Sequence, residues 1–381
     1  MRAMTLGIVH STLLQKLWIG LFLVLLLLPM IGQIESVGTG VTATEMRAPN
    51  ALPGLPNTVQ EVSVLPQRFE AWLKDHFGFR NQLVLANNLI RVKVFGQSTS
   101  PLVVLGRNGW LFYTGEHALE QTRGIDRFSP EELDRWIDVM ERRQAWLAER
   151  GIPMLMVAIP NKERVYREDL PAWATQVNQE SRMDQIARRL AERRSPLVFK
   201  DMTADLVTAR KDMKVYFRAD THWTAEAAFA IGYRRIAEWI RSVRPDFTPL
   251  TADDMKRVHA MRQGADLDLA RMLGLAAVYE EEEVRYELLG SPKLRSNDTS
   301  MANGIVQSIL RADRPNAPTV VWFRDSFTIA MYPYIAESFS KAVVTEHKGL
   351  RFDKALIEEH KPDLVVYQFV ERSFNAPIPA E

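Results

Sequence analysis

Eighteen consecutive residues, Leu17 to Ile34, carry no charge and read LWIGLFLVLLLLPMIGQI. As a helix this run would be about 27 Å long, close to the hydrocarbon thickness of a bilayer. Arg2 and Lys16 precede it, while Glu35 and Glu45 follow it. The positive-inside bias therefore leaves the N-terminus in the cytoplasm and sends the rest of the chain across the inner membrane into the periplasm. A cleaved signal peptide is the competing reading. Its small-x-small site would fall near Val41-Thr42-Ala43, well beyond the apolar core, so an uncleaved single-pass signal anchor over residues 1–34 is the expectation. No later segment is apolar for long enough to span.

The chain has 381 residues, enough for one large α/β domain with accessory parts. Its net charge is +1, without the uncompensated basic clusters that phosphate binding needs, so nucleic acid is not an expected partner. Cysteine is absent. Disulfides, thiolate catalysis and cysteine-based metal sites are thereby excluded.

Residues 35–65, rich in Gly, Pro, Thr and Val, read as a linker to a body spanning 66–381. Residues 66–97 carry helical spacing, with a turn at 75–80. Two apolar runs flank Asn108-Gly109, a hairpin signal. Ser129-Pro130-Glu131-Glu132 is a capping box that opens a helix to about Arg150. Strands are expected at 154–159, 197–199, 319–323, 342–345 and 364–367. Helices are expected at 180–194, from Thr224 to about Ile240, at 327–339 and at 353–360. This alternation argues for an α/β fold with a doubly wound, mainly parallel sheet flanked by helices. In such folds the site lies beyond the carboxyl ends of the strands.

Three polar clusters lie along this alternating stretch, at candidate strand ends. In Phe323-Arg324-Asp325-Ser326-Phe327, a serine sits where a helix begins, so free backbone N–H groups and the positive dipole end point outward and could hold an oxyanion. Taken alone, Ser326 or Asp325 is equally an N-cap. In Asp220-Thr221-His222-Trp223-Thr224, the imidazole and carboxylate that a serine nucleophile requires lie two residues apart and could project to one side. Taken alone, His222 is a structural histidine with a structural aspartate. No His/Cys cluster with zinc-ligand spacing accompanies it, so no metal and no cofactor are expected. In Pro160-Asn161-Lys162-Glu163-Arg164, the Asn161 amide suits an oxyanion hole. Lys162 and Arg164 could bind a sugar or a carboxylate, or the segment could simply turn. Trp110, Trp223 and Trp322 could stack on sugar rings or fill the core.

These blocks resemble the SGNH-hydrolase-like alginate O-acetyltransferase family, the AlgJ and AlgX type. The resemblance runs through Gly106–Tyr113, Ile159–Tyr166, Asp220–Thr224 and Arg324–Phe327, with support from Gly264–Leu275 and Lys361–Arg372. Together these span roughly residues 66 to 375. The resemblance implies an SGNH-hydrolase-like domain with Ser326 as nucleophile, His222 as base and Asp220 as its orienting carboxylate. Asn161, Arg324, Lys162 and Trp223 become oxyanion or substrate-binding candidates. It further implies acetyl transfer onto hydroxyls of an exported polysaccharide, with a membrane-bound acyltransferase as acetyl supplier. Two departures from the wider SGNH pattern stand out. Asp220 and His222 precede Ser326, the inverted order of the alginate-acetylation branch, and Arg324 replaces the glycine of Gly-Asp-Ser.

Two other functions fit the same residues. A carbohydrate acetylesterase would share the acyl-enzyme and differ in whether water or a sugar arrives second. A non-catalytic polysaccharide-binding or scaffold component of an export complex would carry the triad as a vestige. With no carbohydrate-binding module read after the catalytic body, affinity is expected to come from the body itself or from partners.

Overall fold

A computed structural model describes residues 3–35 and 48–377. Arg2 and residues 36–47, which hold Glu45, part of the expected linker and the alternative cleavage site at 41–43, lie outside the described residues. The chain divides into two compact units. The first runs to Thr99 and includes Arg271–Leu275. The second comprises Ser100–Ala270 and the chain from Ala276 onward.

In the first unit the apolar run is helical within Ala3–Ile34. Its stretch Thr12–Ile34 is long and apolar enough to cross a membrane and fits a single-pass anchor. A helix then begins at Val59, inside the stretch read as linker, because Thr58 accepts from Glu61 N and caps it. It ends at His76, and the next helix runs from Arg80 to Leu89. The expected turn falls between them. The second unit opens at Ser100.

The second unit begins with a hairpin of strands β1 (Val103–Leu105) and β2 (Leu111–Tyr113). Asn108 (φ 54°) and Gly109 (φ 80°) take the left-handed conformations that a tight hairpin needs. The main sheet contains β3 (Met154–Ile159), β4 (Phe199–Asp201), β7 (Leu294–Ala302), β8 (Ile305–Ala312), β9 (Thr319–Arg324), β10 (Lys341–Glu346) and β11 (Leu364–Val370). Their spatial order is β4-β3-β11-β9-β10-β8-β7. The first five neighbours pair in parallel, and β8 and β7 add an antiparallel edge.

Alternation along the parallel strands serves two cores. Leu155, Val157, Trp322 and Val366 pack on one face with the helical segment 225–243. Met156, Val321, Phe323 and Tyr367 pack on the other with helices Pro130–Ala148 and Arg182–Arg193. Burial on both faces is why these strands read as near-continuous apolar runs. Capping boxes at Ser129 and Ser181 open the two helices of the second face.

Four strands escaped the sequence reading: β7, β8, and the separate ribbon of β5 (Met255–Gln263) with β6 (Glu280–Leu288). β5 and β6 are charge-rich and β7 is polar and exposed, so no apolar period marks them, while β8 is apolar but half-buried and interrupted by Gln307 and Ser308. The helix expected over 327–339 is instead a 3-10 turn, Ser326–Met331, followed by an α-helix, Tyr332–Ser338. Pro333 lacks the N–H that a continuous α-ladder would need there.

Leu155 is fully buried in β3 and should resist shortening. Leu155→Ala is expected to lower unfolding stability by about 2–5 kcal/mol, read from a denaturant titration.

Candidate active site

The parallel register sets the strand ends level. Val370 of β11 pairs with Ile159 of β3, and Glu346 of β10 pairs with Arg324 of β9. The segments that follow β3, β9, β10 and β11 therefore emerge along one edge of the sheet, and three of them start with polar residues read as candidates or missed.

Ser326 opens the turn after β9. Asp325 caps that turn, with Oδ1 accepting from Phe327 N at 2.9 Å and Oδ2 from Val370 N at 2.6 Å. Arg324 belongs to the strand, and Asp325 has φ −112°. No left-handed residue is required at this turn, so the absent glycine leaves the backbone unstrained.

His222 Nε2 lies 2.8 Å from Ser326 Oγ, and its Nδ1 lies 2.7 Å from Asp220 Oδ1. The three side chains expected to act together are thus in one hydrogen-bonded chain. Asp220 Oδ1 also accepts from His222 N at 2.8 Å, and Oδ2 accepts from Asp268 N at 2.9 Å. Burial works to raise the Asp220 pKa, but the His222 hydrogen bond, the imidazolium charge and these backbone donors hold it well below the ordinary carboxylate range. An ionised Asp220 then fixes the proton of His222 on Nδ1 and leaves Nε2 to accept from the serine.

The backbone carrying Asp220 and His222 is irregular, and every tether that holds it is buried or half-buried. Lys162 Nζ donates to the carbonyls of Phe217 (3.2 Å), Arg218 (3.2 Å) and Asp220 (2.7 Å). Glu281, from β6, accepts from Arg218 N (2.9 Å) and Ala219 N (2.6 Å). Asp268 accepts from Thr221 N (2.8 Å) and Thr221 Oγ1 (2.5 Å). Lys162 is 1% exposed, and burial pulls its ammonium down to about 8 despite the neighbouring carboxylates of Glu163, Asp268, Asp220 and Glu281. It holds the loop and does not face a substrate, which corrects its reading as a binding residue.

Trp223 needs the same correction. It is 1% exposed, donates from Nε1 to Phe327 O at 2.9 Å, and occupies the space above Gly232, where an added Cβ would sit 2.4 Å from Trp223 Cη2. Trp110 and Trp322 are likewise core. Asn161 follows β3 and is fully buried. Its backbone N–H donates to Glu371 Oε2 at 3.0 Å and its Oδ1 accepts from Arg372 N at 3.2 Å. Its Nδ2 is buried with no acceptor among the described residues. Arg324 lies on the wall of a cavity of about 560 Å³ that reaches Ser326, with Nη1 3.4 Å from Glu346 Oε1. Arg164 is tied to Asp184 and Glu371, away from a binding role.

Asp268 and Glu281 were missed as site residues. Asp268 stands in a block noted only as supporting, and Glu281 sits in an acidic run that reads as solvated surface. Asp220, His222 and Asp268 bring potential ligand atoms within 4.8 Å of one another, a set that could hold a cation. Their oxygens are engaged by the hydrogen bonds above, which fits a proton-transfer chain better than a coordination shell.

A doubly wound α/β unit with a serine at a strand end, hydrogen-bonded to a histidine and an aspartate on a loop, defines a serine-hydrolase-like class. Residues 103–304, more than half of the chain, match the family described as SGNH hydrolase-like domain, acetyltransferase AlgX, and the chain belongs to that family. The matched stretch contains Asp220 and His222 and ends before Ser326. The chain is 27% identical over 256 residues to a probable alginate O-acetylase AlgJ of Pseudomonas fluorescens, covering 64% of this chain and 56% of that protein. The AlgJ of Pseudomonas aeruginosa is 32% identical over 141 residues, 36% of this chain and 33% of that one. The chain thus spans little more than half the length of the first of these relatives. PatB1 of Bacillus cereus, solved with a sulfonyl adduct, superposes with a TM-score of 0.55 at 13% identity, over 72% of this chain and 95% of that one. That likeness concerns the fold, which is SGNH-hydrolase-like.

Two substitutions separate holding from chemistry. Lys162→Met leaves the Phe217 and Asp220 carbonyls without their donor and is expected to lower stability by about 3 kcal/mol, read in urea. Asp268→Ala is expected to keep the fold but reduce kcat for a chromogenic ester about tenfold or more, because His222 loses its alignment. Unchanged turnover would remove Asp268 from the positioning role.

Proposed function

We propose that the protein is a membrane-anchored O-acetyltransferase that moves acetyl groups onto hydroxyls of an exported polysaccharide through an acetyl-serine intermediate at Ser326. The observation that carries this reading is the hydrogen-bonded chain Asp220–His222–Ser326. The names of the AlgJ relatives and of the family supply the acetyl chemistry. In this reading residues 1–34 anchor the chain in the inner membrane with the catalytic body in the periplasm. A membrane-bound acyltransferase supplies acetyl groups there.

In the first step Ser326 Oγ attacks the acetyl carbonyl of the donor while its proton passes to His222 Nε2. Asp220 stabilises the imidazolium. Negative charge develops on the carbonyl oxygen, and the Asn161 amide, a buried donor without an acceptor, is our candidate to receive it together with the first-turn backbone N–H groups. The donor's leaving group departs with the proton from His222. In the second step a sugar hydroxyl gives its proton to Nε2 and attacks the acetyl-serine. The acetyl group leaves on the sugar, and Ser326 Oγ recovers the proton.

Intact mass spectrometry after incubation with p-nitrophenyl acetate tests this directly. Wild type is expected to gain one acetyl group, and Ser326→Ala none. His222→Ala is expected to lose at least about 10³-fold in rate. Acetylated sugar in the presence of an acceptor supports transfer, whereas free acetate alone would make the protein an esterase. A folded protein that forms no adduct with any ester would sink the catalytic reading.

A further inference from the structure

Arg372 follows strand β11 and lines the cavity that reaches Ser326. The neighbouring strand β9 leads into Ser326, and Asp325 Oδ2 accepts from Val370 N at 2.6 Å, so the two strand ends are bonded together beside the nucleophile. The guanidinium is held by two rings and a carboxylate. Its Cζ lies 5.4 Å from the ring centre of Tyr113 and 5.4 Å from that of Phe327, and its Nε donates to Glu116 Oε2 at 2.9 Å. Phe327 follows Ser326 directly, and its ring centre is 4.9 Å from that of His222. Guanidinium and imidazole therefore lean on the same ring, next to the same serine.

Neither Nη1 nor Nη2 of Arg372 makes a hydrogen bond among the described residues, and the side chain is only 11% exposed. A guanidinium keeps its charge at any working pH, and its N–H groups form a rigid fork. Donors fixed before the reaction stabilise a developing oxyanion without reorganising, and they act most strongly where water is excluded. The other two cations of the cavity turn toward the end of β10. Arg324 lies over the Tyr332 ring, with Nη1 3.4 Å from both the Asp325 carbonyl and Glu346 Oε1. Lys348 Nζ donates to the Gly304 carbonyl and is 3.9 Å from Glu346 Oε2. The turn that carries Glu116 points the same way. Glu116 (φ 53°) and His117 (φ 57°) are consecutive non-glycine residues in the left-handed region, a strain that persists only where the surroundings impose it. Here it presents Glu116 to Arg372.

We propose that Arg372 is a further catalytic residue of acetyl transfer, its terminal N–H groups holding the acetyl carbonyl oxygen as it becomes an oxyanion. The proposal rests on the acetyl-transfer reading above. When Ser326 Oγ bonds to the carbonyl carbon, the carbonyl π pair moves onto oxygen and the serine proton passes to His222 Nε2. Arg372 holds that oxygen until the pair returns and the bond to the donor's leaving group breaks. The leaving group then takes the proton from His222. Attack of the sugar hydroxyl on the acetyl-serine passes through the same kind of oxyanion, so Arg372 serves both steps. Arg372 N also donates to Asn161 Oδ1 at 3.2 Å, which ties the Asn161 amide to the same segment.

The test uses the full chain in detergent with p-nitrophenyl acetate, whose pre-steady-state burst gives the acetylation rate constant and the substrate dissociation constant separately. Methylboronic acid is the second probe: Ser326 Oγ adds to boron, the serine proton goes to His222, and a tetrahedral anion results. Arg372→Ala is expected to lower the acetylation rate constant about 10²-fold, while the dissociation constant changes by less than about threefold. Methylboronate binding should weaken by a factor similar to the rate loss, since its anion and the transition state need the same donor. Added ethylguanidinium should restore the rate several-fold and saturably, because Tyr113, Phe327 and Glu116 still frame the vacated space. If the alanine variant unfolds at lower urea, Arg372→Lys is read instead, with an expected loss of about tenfold in rate and in boronate affinity together. An acetylation rate within about threefold of wild type in the folded variant would overturn the proposal and leave acetyl transfer standing. So would a rate loss without a matching loss of methylboronate affinity, or a slowed Arg372→Ala that ethylguanidinium does not revive. A wild-type protein that forms no acetyl-enzyme would overturn the acetyl-transfer reading, and this proposal with it.

Discussion

The ammonium of Lys162, buried under the Phe217–Asp220 segment, accounts for much of the site's geometry. That segment is irregular: Leu111 N and Ala270 N reach the carbonyls of Arg218 and Ala219, while those of Phe217 and Asp220 depend on the lysine. An unsatisfied buried carbonyl costs about 1–3 kcal/mol, and one lysine answers two of them and shares the Arg218 carbonyl with Leu111 N. Glu281 answers the N–H groups of the same segment from the opposite side. Held from both sides, the loop keeps Asp220 and His222 in place, and the imidazole reaches the serine.

The two halves of the site come from different kinds of structure. Ser326 and Asn161 sit at ends of parallel strands whose register is set by apolar faces on both sides. Their positions are as rigid as the cores that fix them. Asp220 and His222 sit on a loop whose position depends on a network of polar tethers. Glu371, fully buried after β11, fixes the segment that carries Lys162 by binding Asn161 N, Ser181 Oγ and Arg164. A low-dielectric setting strengthens each of these bonds and makes each missing one costly.

Much of this could be read from residue order. Strand β3 matched its expected bounds because six consecutive apolar residues cannot be solvated. The hairpin at Asn108-Gly109 and the helix starts at Ser129 and Thr224 were legible because their signals act over four residues or fewer. The strands β5 and β6 were not, since their exposed ribbon carries charges on both faces, nor were β7 and β8, whose polar residues break the apolar alternation. Asp220, His222 and Ser326 were legible as candidates because only a few residue types can perform acyl transfer. Lys162 and Trp223 were misread, since nothing local distinguishes a cation that grips carbonyls from one that faces solvent.

Local chemistry, then, decides which segments are helix, strand or turn, which stretch suits a membrane, and which side chains have the reactivity for acyl transfer. It does so because propensity, capping and hydrophobic period are properties of neighbouring residues. The distances between Asp220, His222 and Ser326, the burial of Lys162, and the pairing of Arg372 with Glu116 and Arg324 with Glu346 belong to the tertiary structure alone. Each joins chain segments that meet only after the sheet has assembled, and burial then sets which charges stay paired, which donors stay unmet and how the site is poised.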